Sequence, residues 1–207
     1  MNYEEKCQLL LIGDSSVGKT SLIYNYTDHS NSNSLQMATV GIDYFTKDEI
    51  INNIKIRTKI WDTAGQERYK SFTQSFLRNA QGVMIVFDVS NRDTFDNLKY
   101  WISSLNSSLG NDNNVKIIII GNKIDKIHRE VSKEEAEIFT KNLKIHYLET
   151  SVRENINIKE SFRYILNLIF DNDKKISTQE KVETFKIIKN SENNSIINKC
   201  EKCICSK

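Results

Sequence analysis

The residues best placed to do chemistry are Gly13-Asp14-Ser15-Ser16-Val17-Gly18-Lys19-Thr20, which fit the pattern G-x-x-x-x-G-K-[ST]. Glycines at 13 and 18 let the backbone curl so that successive N–H groups point inward. A helix opening at Lys19 would add the partial positive charge of its N-terminus. Phosphate oxygens are the natural guests of such a loop. Lys19 would supply a point charge to the β- and γ-phosphates. The Thr20 hydroxyl would supply a ligand for Mg²⁺, which keeps most of its shell as water and phosphate oxygen. The bland alternative is a glycine turn that happens to precede a helix, and the matching flanks argue against it. A phosphate loop serves ATP or GTP equally, so discrimination must come from the base. Asn122-Lys123-Ile124-Asp125 offers a carboxylate that can accept both the N1–H and the 2-amino hydrogen of guanine. Adenine presents neither in that arrangement, and its mismatch would leave polar groups unpaired.

These residues need a frame. Cys7 to Ile12 is an apolar run of strand length before the glycine loop, and Thr20 to about Tyr26 continues a helix after it. Thr27 to Ser34 is polar and reads as a loop. A strand leads from about Thr39 to Ile51 and pairs as a hairpin with Ile54 to Trp61 across Asn52-Asn53. Gly82 to Asp88 and Val115 to Gly121 are near-continuous apolar runs rich in β-branched residues, as in strands buried on both faces. Between them Phe95, Leu98, Trp101, Ile102 and Leu105 recur at helical spacing over Thr94 to Leu109. Ser132-Lys133-Glu134-Glu135 starts a capped helix to about Asn142, Ile145 to Leu148 is a last short strand, and Ile156 to Phe170 is a closing helix. The alternation predicts an α/β fold, a doubly wound, mostly parallel six-stranded sheet with helices on both faces. Its ligand crevice would lie beyond the carboxyl ends of the strands, where the phosphate loop, Thr39, Asp62, Asn122 and Ser151 all fall.

The chain has 207 residues, 39% of them hydrophobic and 27% charged, and a formal charge of +2. Those are globular values, and the balance does not suggest a nucleic-acid surface. One domain over 1–172 and a flexible basic tail over 173–207 are expected. From Lys174 onward eight Lys and four Glu sum to +4, which leaves −2 for residues 1–173. No run of eighteen apolar residues is present, and Met1 to Lys6 lacks a signal-peptide core, so a cytosolic protein is expected. Asn2 stands where N-myristoylation requires glycine. Cys7 reads as a buried small hydrophobe.

Gly13 to Thr20, Thr39 in a Thr-Val-Gly-Ile-Asp context, Trp61-Asp62-Thr63-Ala64-Gly65-Gln66-Glu67-Arg68-Tyr69, Asn122-Lys123-x-Asp125 and Glu149-Thr150-Ser151 follow one another at matching separations. Together they resemble a small GTPase of the Ras superfamily, with the P-loop GTPase fold, and most closely the Rab family, over roughly residues 6 to 172. The resemblance implies GTP/GDP as ligand and Mg²⁺ as cofactor. It places Ser16, Val17, Gly18, Lys19, Thr20 and Ser21 around the phosphates and Asn122, Lys123, Asp125, Ser151, Val152 and Arg153 around guanine. Thr20, Thr39 and Asp62 would serve the metal, Gly65 N–H the γ-phosphate, and Gln66 the attacking water, with Lys19, Thr39 and Gln66 forming the catalytic set. Loss of γ-phosphate would release both loops. No general base or built-in arginine finger is evident, so hydrolysis should be slow, on the order of 10⁻⁴ to 10⁻³ per second on the Ras-like scale. An activating protein, an exchange factor, effectors and an escort or dissociation inhibitor are implied, with the chain itself a monomer. Tyr44, Trp61 and Phe76 fall where Rab-like proteins carry an aromatic patch read by partners, although helix periodicity leaves Phe76 open to a core role.

The chain departs from the pattern twice. Ser32 stands seven positions before Thr39, where the family usually has an aromatic residue against the guanine, and the loop from Thr20 to Thr39 is one residue longer. Losing a base–aromatic contact of about 1 to 3 kcal/mol, by analogy with nucleic-acid stacking, predicts faster nucleotide exchange unless Tyr26 or His29 substitutes. Ser151-Val152-Arg153 replaces the usual Ser-Ala-Lys, and the Val152 N–H can still reach the guanine oxygen.

The end, Cys200-Glu201-Lys202-Cys203-Ile204-Cys205-Ser206-Lys207, has three readings. Zinc would need more than three sulfurs without a nearby His, and a disulfide is disfavoured in cytosol. The resemblance favours geranylgeranyl groups on Cys203 and Cys205, two chains giving stable anchoring to which tail lysines add attraction for anionic lipid. The expected location is the cytoplasmic face of intracellular membranes, cycling with cytosol, in vesicle-mediated and protein transport. Two other readings remain at this level: a binding module cycling by exchange with little hydrolysis, and a P-loop kinase or ATPase, which Asn122-Lys123-x-Asp125 opposes.

Overall fold

The computed structural model describes residues 5–28, 42–63, 79–109 and 114–170. The strands are β1 (Glu5–Ile12), β2 (Ile42–Ile51), β3 (Ile54–Thr63), β4 (Gly82–Asp88), β5 (Lys116–Asn122) and β6 (His146–Thr150). The helices are α1 (Lys19–Tyr26), α2 (Arg92–Asp96), α3 (Leu98–Leu109), α4 (Lys133–Leu143) and α5 (Ile158–Phe170). They build one six-stranded sheet in the order β2-β3-β1-β4-β5-β6, parallel except for β2 against β3. The expected α/β architecture is present.

Alternation along β1 explains why helices cover both faces. Cys7, Leu9 and Leu11 join a core with Leu22, Ile23, Phe162, Ile165 and Leu166, from α1 and α5. Leu10 and Ile12 point the other way, into a core with Phe95, Leu98, Leu105 and Ala136, from α2, α3 and α4. β4 is buried along its whole length, as its apolar run requires. Asn52 and Asn53 have φ of 51° and 65°, the two left-handed positions of a type I′ hairpin turn, and Ile51 pairs with Ile54 across it.

Several boundaries differ from the sequence expectation. The helix expected from Thr94 starts at Arg92, because the Asn91 side chain accepts from the Asp93 N–H, and it divides at Asn97 into α2 and α3. The closing helix starts at Ile158 rather than Ile156, which instead pairs with Ser151 in an isolated bridge. β6 runs on to Thr150 and so delivers Ser151 to the crevice. The Ser132 hydroxyl accepts from the Glu135 N–H at 3.1 Å as expected, but the Glu135 carboxylate turns to Arg92, at 2.6 and 2.8 Å, instead of closing the box.

Candidate functional site

The phosphate loop leaves β1 at Gly13, whose φ is 139°. A Cβ there would lie 2.1 Å from the Val86 carbonyl oxygen of β4, so only glycine lets the loop pass this close to the sheet. Gly18, at φ 100°, ends the loop, and a Cβ on it would lie 2.4 Å from Asn122 Nδ2. Lys19 turns back over the loop, its Nζ donating to the carbonyls of Gly13 at 2.9 Å and Asp14 at 2.7 Å. Burial pulls the Lys19 amine down to about 8, against the opposing charges of Asp62 and Asp14. Thr20 Oγ1 donates to Asp62 Oδ2 at 2.5 Å, and Asp62 is 1% exposed at the carboxyl end of β3.

The second half of the site is the turn after β5. Asn122, also 1% exposed, donates from Nδ2 to the Val17 carbonyl at 2.9 Å and accepts on Oδ1 from Thr150 Oγ1 at 3.1 Å. One side chain therefore joins the phosphate loop, β5 and β6. Lys123, with φ 68°, reaches Ser16 O at 2.6 Å and Asp88 Oδ2 at 2.7 Å, lying along the loop. Asp125 accepts on Oδ1 from Ser151 Oγ at 2.6 Å, and the same Ser151 oxygen accepts from Glu154 N–H at 3.1 Å. Ser151 and Ile156 exchange backbone bonds of 2.9 and 3.2 Å, which hold the turn containing Val152 and Arg153.

Chemically this is a crevice with an inward-facing cation and a pair of hard oxygen donors at one end and an oriented carboxylate at the other. It can take a phosphorylated ligand whose far end offers adjacent N–H donors. Ser16, Val17, Gly18, Asp62, Asn122, Lys123, Asp125, Ser151, Val152 and Arg153 belong to the loops and strand ends around it, and Lys19, Thr20 and Ser21 to the first turn of α1. Thr39, Gly65, Gln66, Phe76, Ser32, His29 and the C-terminal cysteines lie outside the described residues. The aromatic pair Tyr44 and Trp61 is adjacent, with ring centroids 5.3 Å apart.

Tyr26 corrects one expectation. It is fully buried and stacked on Phe162, centroids 3.9 Å apart and planes 3° from parallel, so it is core and does not lean on a base. The helical spacing of Lys19, Leu22, Ile23 and Tyr26 on one buried face carries that information.

Two contributors were not singled out from sequence. Asp88 ends β4 with a 7% exposed side chain, and it receives Ser90 N–H and Oγ on Oδ1 and Lys123 and Lys126 on Oδ2. Burial acts to raise its carboxyl, but the Lys123 and Ser90 hydrogen bonds outweigh it and hold Asp88 below the usual carboxylate range. A carboxylate at the carboxyl end of a central strand was the available signal. Asp14 is the other. Its Oδ1 accepts from Trp101 Nε1 and its Oδ2 from Asn97 Nδ2, both at 2.7 Å.

Comparison with known proteins agrees with this geometry. A Ras family model matches residues 8–171. The GTP-binding protein ypt3 of Schizosaccharomyces pombe is 38% identical over 169 residues, 81% of this chain and 78% of that one. Ras-related protein Rab-8 of Diplobatis ommata is 38% identical over 89% of each chain. Ras-related protein Rab-15 of Homo sapiens is 38% identical over 84% of this chain and 81% of its own.

Proposed function

Because the chain belongs to the Ras family as a small GTPase of the Rab type, an enzyme that hydrolyses GTP to GDP, we propose that it is a membrane-anchored switch in vesicle-mediated and intracellular protein transport that recruits effectors while GTP-bound. The observation that carries this reading is the 2.9 Å bond from Asn122 to the Val17 carbonyl. It fixes the guanine-reading turn to the phosphate loop, so one nucleotide can span both.

In this reading the loop amides of Ser16 to Thr20 and the Lys19 ammonium hold the phosphates, and Lys123 lies along the loop beneath the nucleotide. Asp125 accepts the two guanine hydrogens, its orientation fixed by Ser151, while the Val152 N–H faces the guanine oxygen and Arg153 flanks it. The Thr20 hydroxyl and the Asp62 carboxylate, brought together by a hydrogen bond, are hard oxygen groups whose chemistry fits Mg²⁺; Thr20 would bind the ion, Asp62 would hold its water shell, and Thr39 would join them when GTP is present. When bound, the ion offsets charge that develops on the β- and γ-phosphate oxygens. Gly65 N–H meets the γ-phosphate and Gln66 orients water. Residues 1–172 form the switch, and residues 173–207 tether it through geranylgeranyl groups on Cys203 and Cys205. An exchange factor, an activating protein and an escort protein complete the cycle, and Tyr44, Trp61 and Phe76 face effectors.

Single-turnover hydrolysis tests the assignment. The isolated protein should turn over on the order of 10⁻⁴ to 10⁻³ per second, and Gln66→Leu should be at least about tenfold slower. Equal rates would remove Gln66 from the reaction. In cells, Cys203→Ser with Cys205→Ser should leave the protein in cytosol; unchanged membrane association would reject the tether.

A second reading, a module driven mainly by exchange, is favoured by one observation. Tyr26 is committed to the core and cannot replace the aromatic missing at Ser32. Ser32→Phe should then slow GDP release; an unchanged rate would dismiss this reading.

A further inference from the structure

The loop that follows Asp125 is gripped from both sides by charge. Its backbone is fixed first, since the N–H groups of Glu130 and Val131 both donate to the carbonyl of Val89, one residue past β4, at 3.0 and 3.1 Å. The side chains of Glu130 and Arg129 then take partners on opposite sides. Arg92 of α2 donates its backbone N–H to Glu130 Oε2 at 2.6 Å and a guanidinium nitrogen to the Glu130 carbonyl at 3.0 Å. Arg129 reaches β6, where its two terminal nitrogens donate one to each oxygen of Glu149, and its Nε returns to the Val131 carbonyl at 2.5 Å. Every guanidinium nitrogen of Arg129 is used, a geometry that a single ammonium cannot copy.

Glu149 is the better buried of that pair, its side chain 13% exposed against 28% for Arg129. Tyr147 Oη also donates to Glu149 Oε1 at 2.8 Å, and Tyr147 crosses β5 at Gly121, where a Cβ would lie 2.4 Å from the hydroxyl oxygen. The Glu149 carbonyl accepts from Asn157 Nδ2 at 2.9 Å, so side chain and backbone are both held. These contacts close a ring. From Asp125 the chain runs to Arg129, the ion pair crosses to Glu149, the chain runs on to Ser151, and the Ser151 hydroxyl returns to Asp125 at 2.6 Å. The Arg129–Glu149 pair therefore helps to set the separation of the two segments that the Ser151–Asp125 bond must span. Without Arg129 the poorly exposed carboxylate of Glu149 would turn toward water and draw the end of β6 with it.

We propose that Arg129 is a positioning residue for discrimination among purine bases: through Glu149 it places Ser151, and through Ser151 it aims the Asp125 carboxylate. The proposal rests on the reading of Asp125 as the acceptor of guanine's two hydrogens and adds a residue that touches no part of the ligand. Arg92 supplies the contrast. It ties the same loop to α2 and α4 through Glu130 and Glu135, yet it lies outside the ring that contains Asp125. Loosening the loop there should cost stability and leave the aim of Asp125 unchanged.

The test compares GDP with inosine diphosphate, whose base keeps the N1–H and lacks the 2-amino group. Each displaces a fluorescent GDP analogue from the full chain with Mg²⁺, which gives the ratio of the two affinities. The parent should prefer GDP about tenfold or more, because inosine diphosphate leaves one hydrogen bond to the carboxylate unmade. Arg129→Met should weaken GDP about tenfold and inosine diphosphate only about threefold, so the preference falls about threefold. Arg129→Lys should lie between Arg129→Met and the parent, since it keeps the charge and loses the fork, and it carries the comparison if Arg129→Met does not fold. Arg92→Met should lower the melting temperature and keep the parent's preference. Arg129 variants that weaken both nucleotides equally would overturn the proposal by making the pair a brace alone. An equal loss of preference in Arg92→Met would overturn it too, since any loosening of the loop would then suffice. A parent with no preference for GDP would instead refute the reading of Asp125 and take the proposal down with it.

Discussion

Trp101→Phe removes the indole N–H and leaves a smaller, single aromatic ring in its place. That N–H donates at 2.7 Å to Asp14 Oδ1, while Asn97 Nδ2 holds Oδ2 at the same distance, so α3 and the residue before it grip the phosphate loop by its second residue. The main-chain carbonyl of that same Asp14 is one of the two acceptors that hold Lys19. A hydrogen bond to a charged group contributes about 1.5–3 kcal/mol, and because Asp14 is only half-buried the lower end of that range applies, about 1.5 kcal/mol. If the clamp keeps the empty loop in its cradle shape, its loss adds an ordering cost to each binding event, and affinity for GDP falls about tenfold. Release of a fluorescent GDP analogue, measured by stopped flow and paired with thermal unfolding, reads both effects. Asn97→Ala should act in the same direction. The double variant should show less than the sum, since both bonds end on one carboxylate. Trp101→Phe with release and stability within twofold of the parent would refute the clamp.

Other expectations follow from single contacts. Gly13→Ala should cost more than about 2 kcal/mol and abolish nucleotide binding, because its methyl carbon would sit 2.1 Å from Val86 O; a near-normal melting temperature would contradict this. The Asp88 carboxyl is held below its ordinary range, so the stability it contributes is present above the usual carboxylate range and is lost as pH falls toward its folded value. Urea unfolding of the parent and Asp88→Asn should therefore differ most near neutral pH and converge in acid, and a difference that grew in acid would reverse the sign of the argument. The Cys7 thiol is 1% exposed and pushed up to about 12 by burial. Iodoacetamide at pH 8 should leave Cys7 unmodified in the native protein, as peptide mass analysis would show, and label it on unfolding.

Much of the frame was legible because it rests on local patterns. Continuous β-branched runs marked β4 and β5, two asparagines marked the hairpin turn, and Ser132 marked the start of α4. The start of α2 was legible too, since Asn91 two residues before Asp93 is a capping signal, but apolar spacing drew the boundary to Thr94. Tyr26 shows how one residue type supports two readings: an aromatic near the base pocket by sequence distance, yet on the buried face of α1 by helical phase. The clamp on Asp14 was not legible, because its donors lie 83 and 87 residues away and Trp101 fits the apolar stripe of α3 equally well. The buried bond from Asn122 to the phosphate loop is likewise a product of topology. Two loops that are 105 residues apart meet only because β1, β4 and β5 lie side by side with their carboxyl ends together.

The most direct test of the account is competition of GTP, GDP and ATP for the purified protein with Mg²⁺, together with the rate of GDP release, in the parent and in Asp125→Ala. A site built to pair with guanine hydrogens should reject adenine by about 10⁴ or more, and Asp125→Ala should lose most of that preference while keeping weak binding through the phosphates. Parent protein that binds ATP as well as GTP would contradict the role of Asp125, and with it the switch built on that residue.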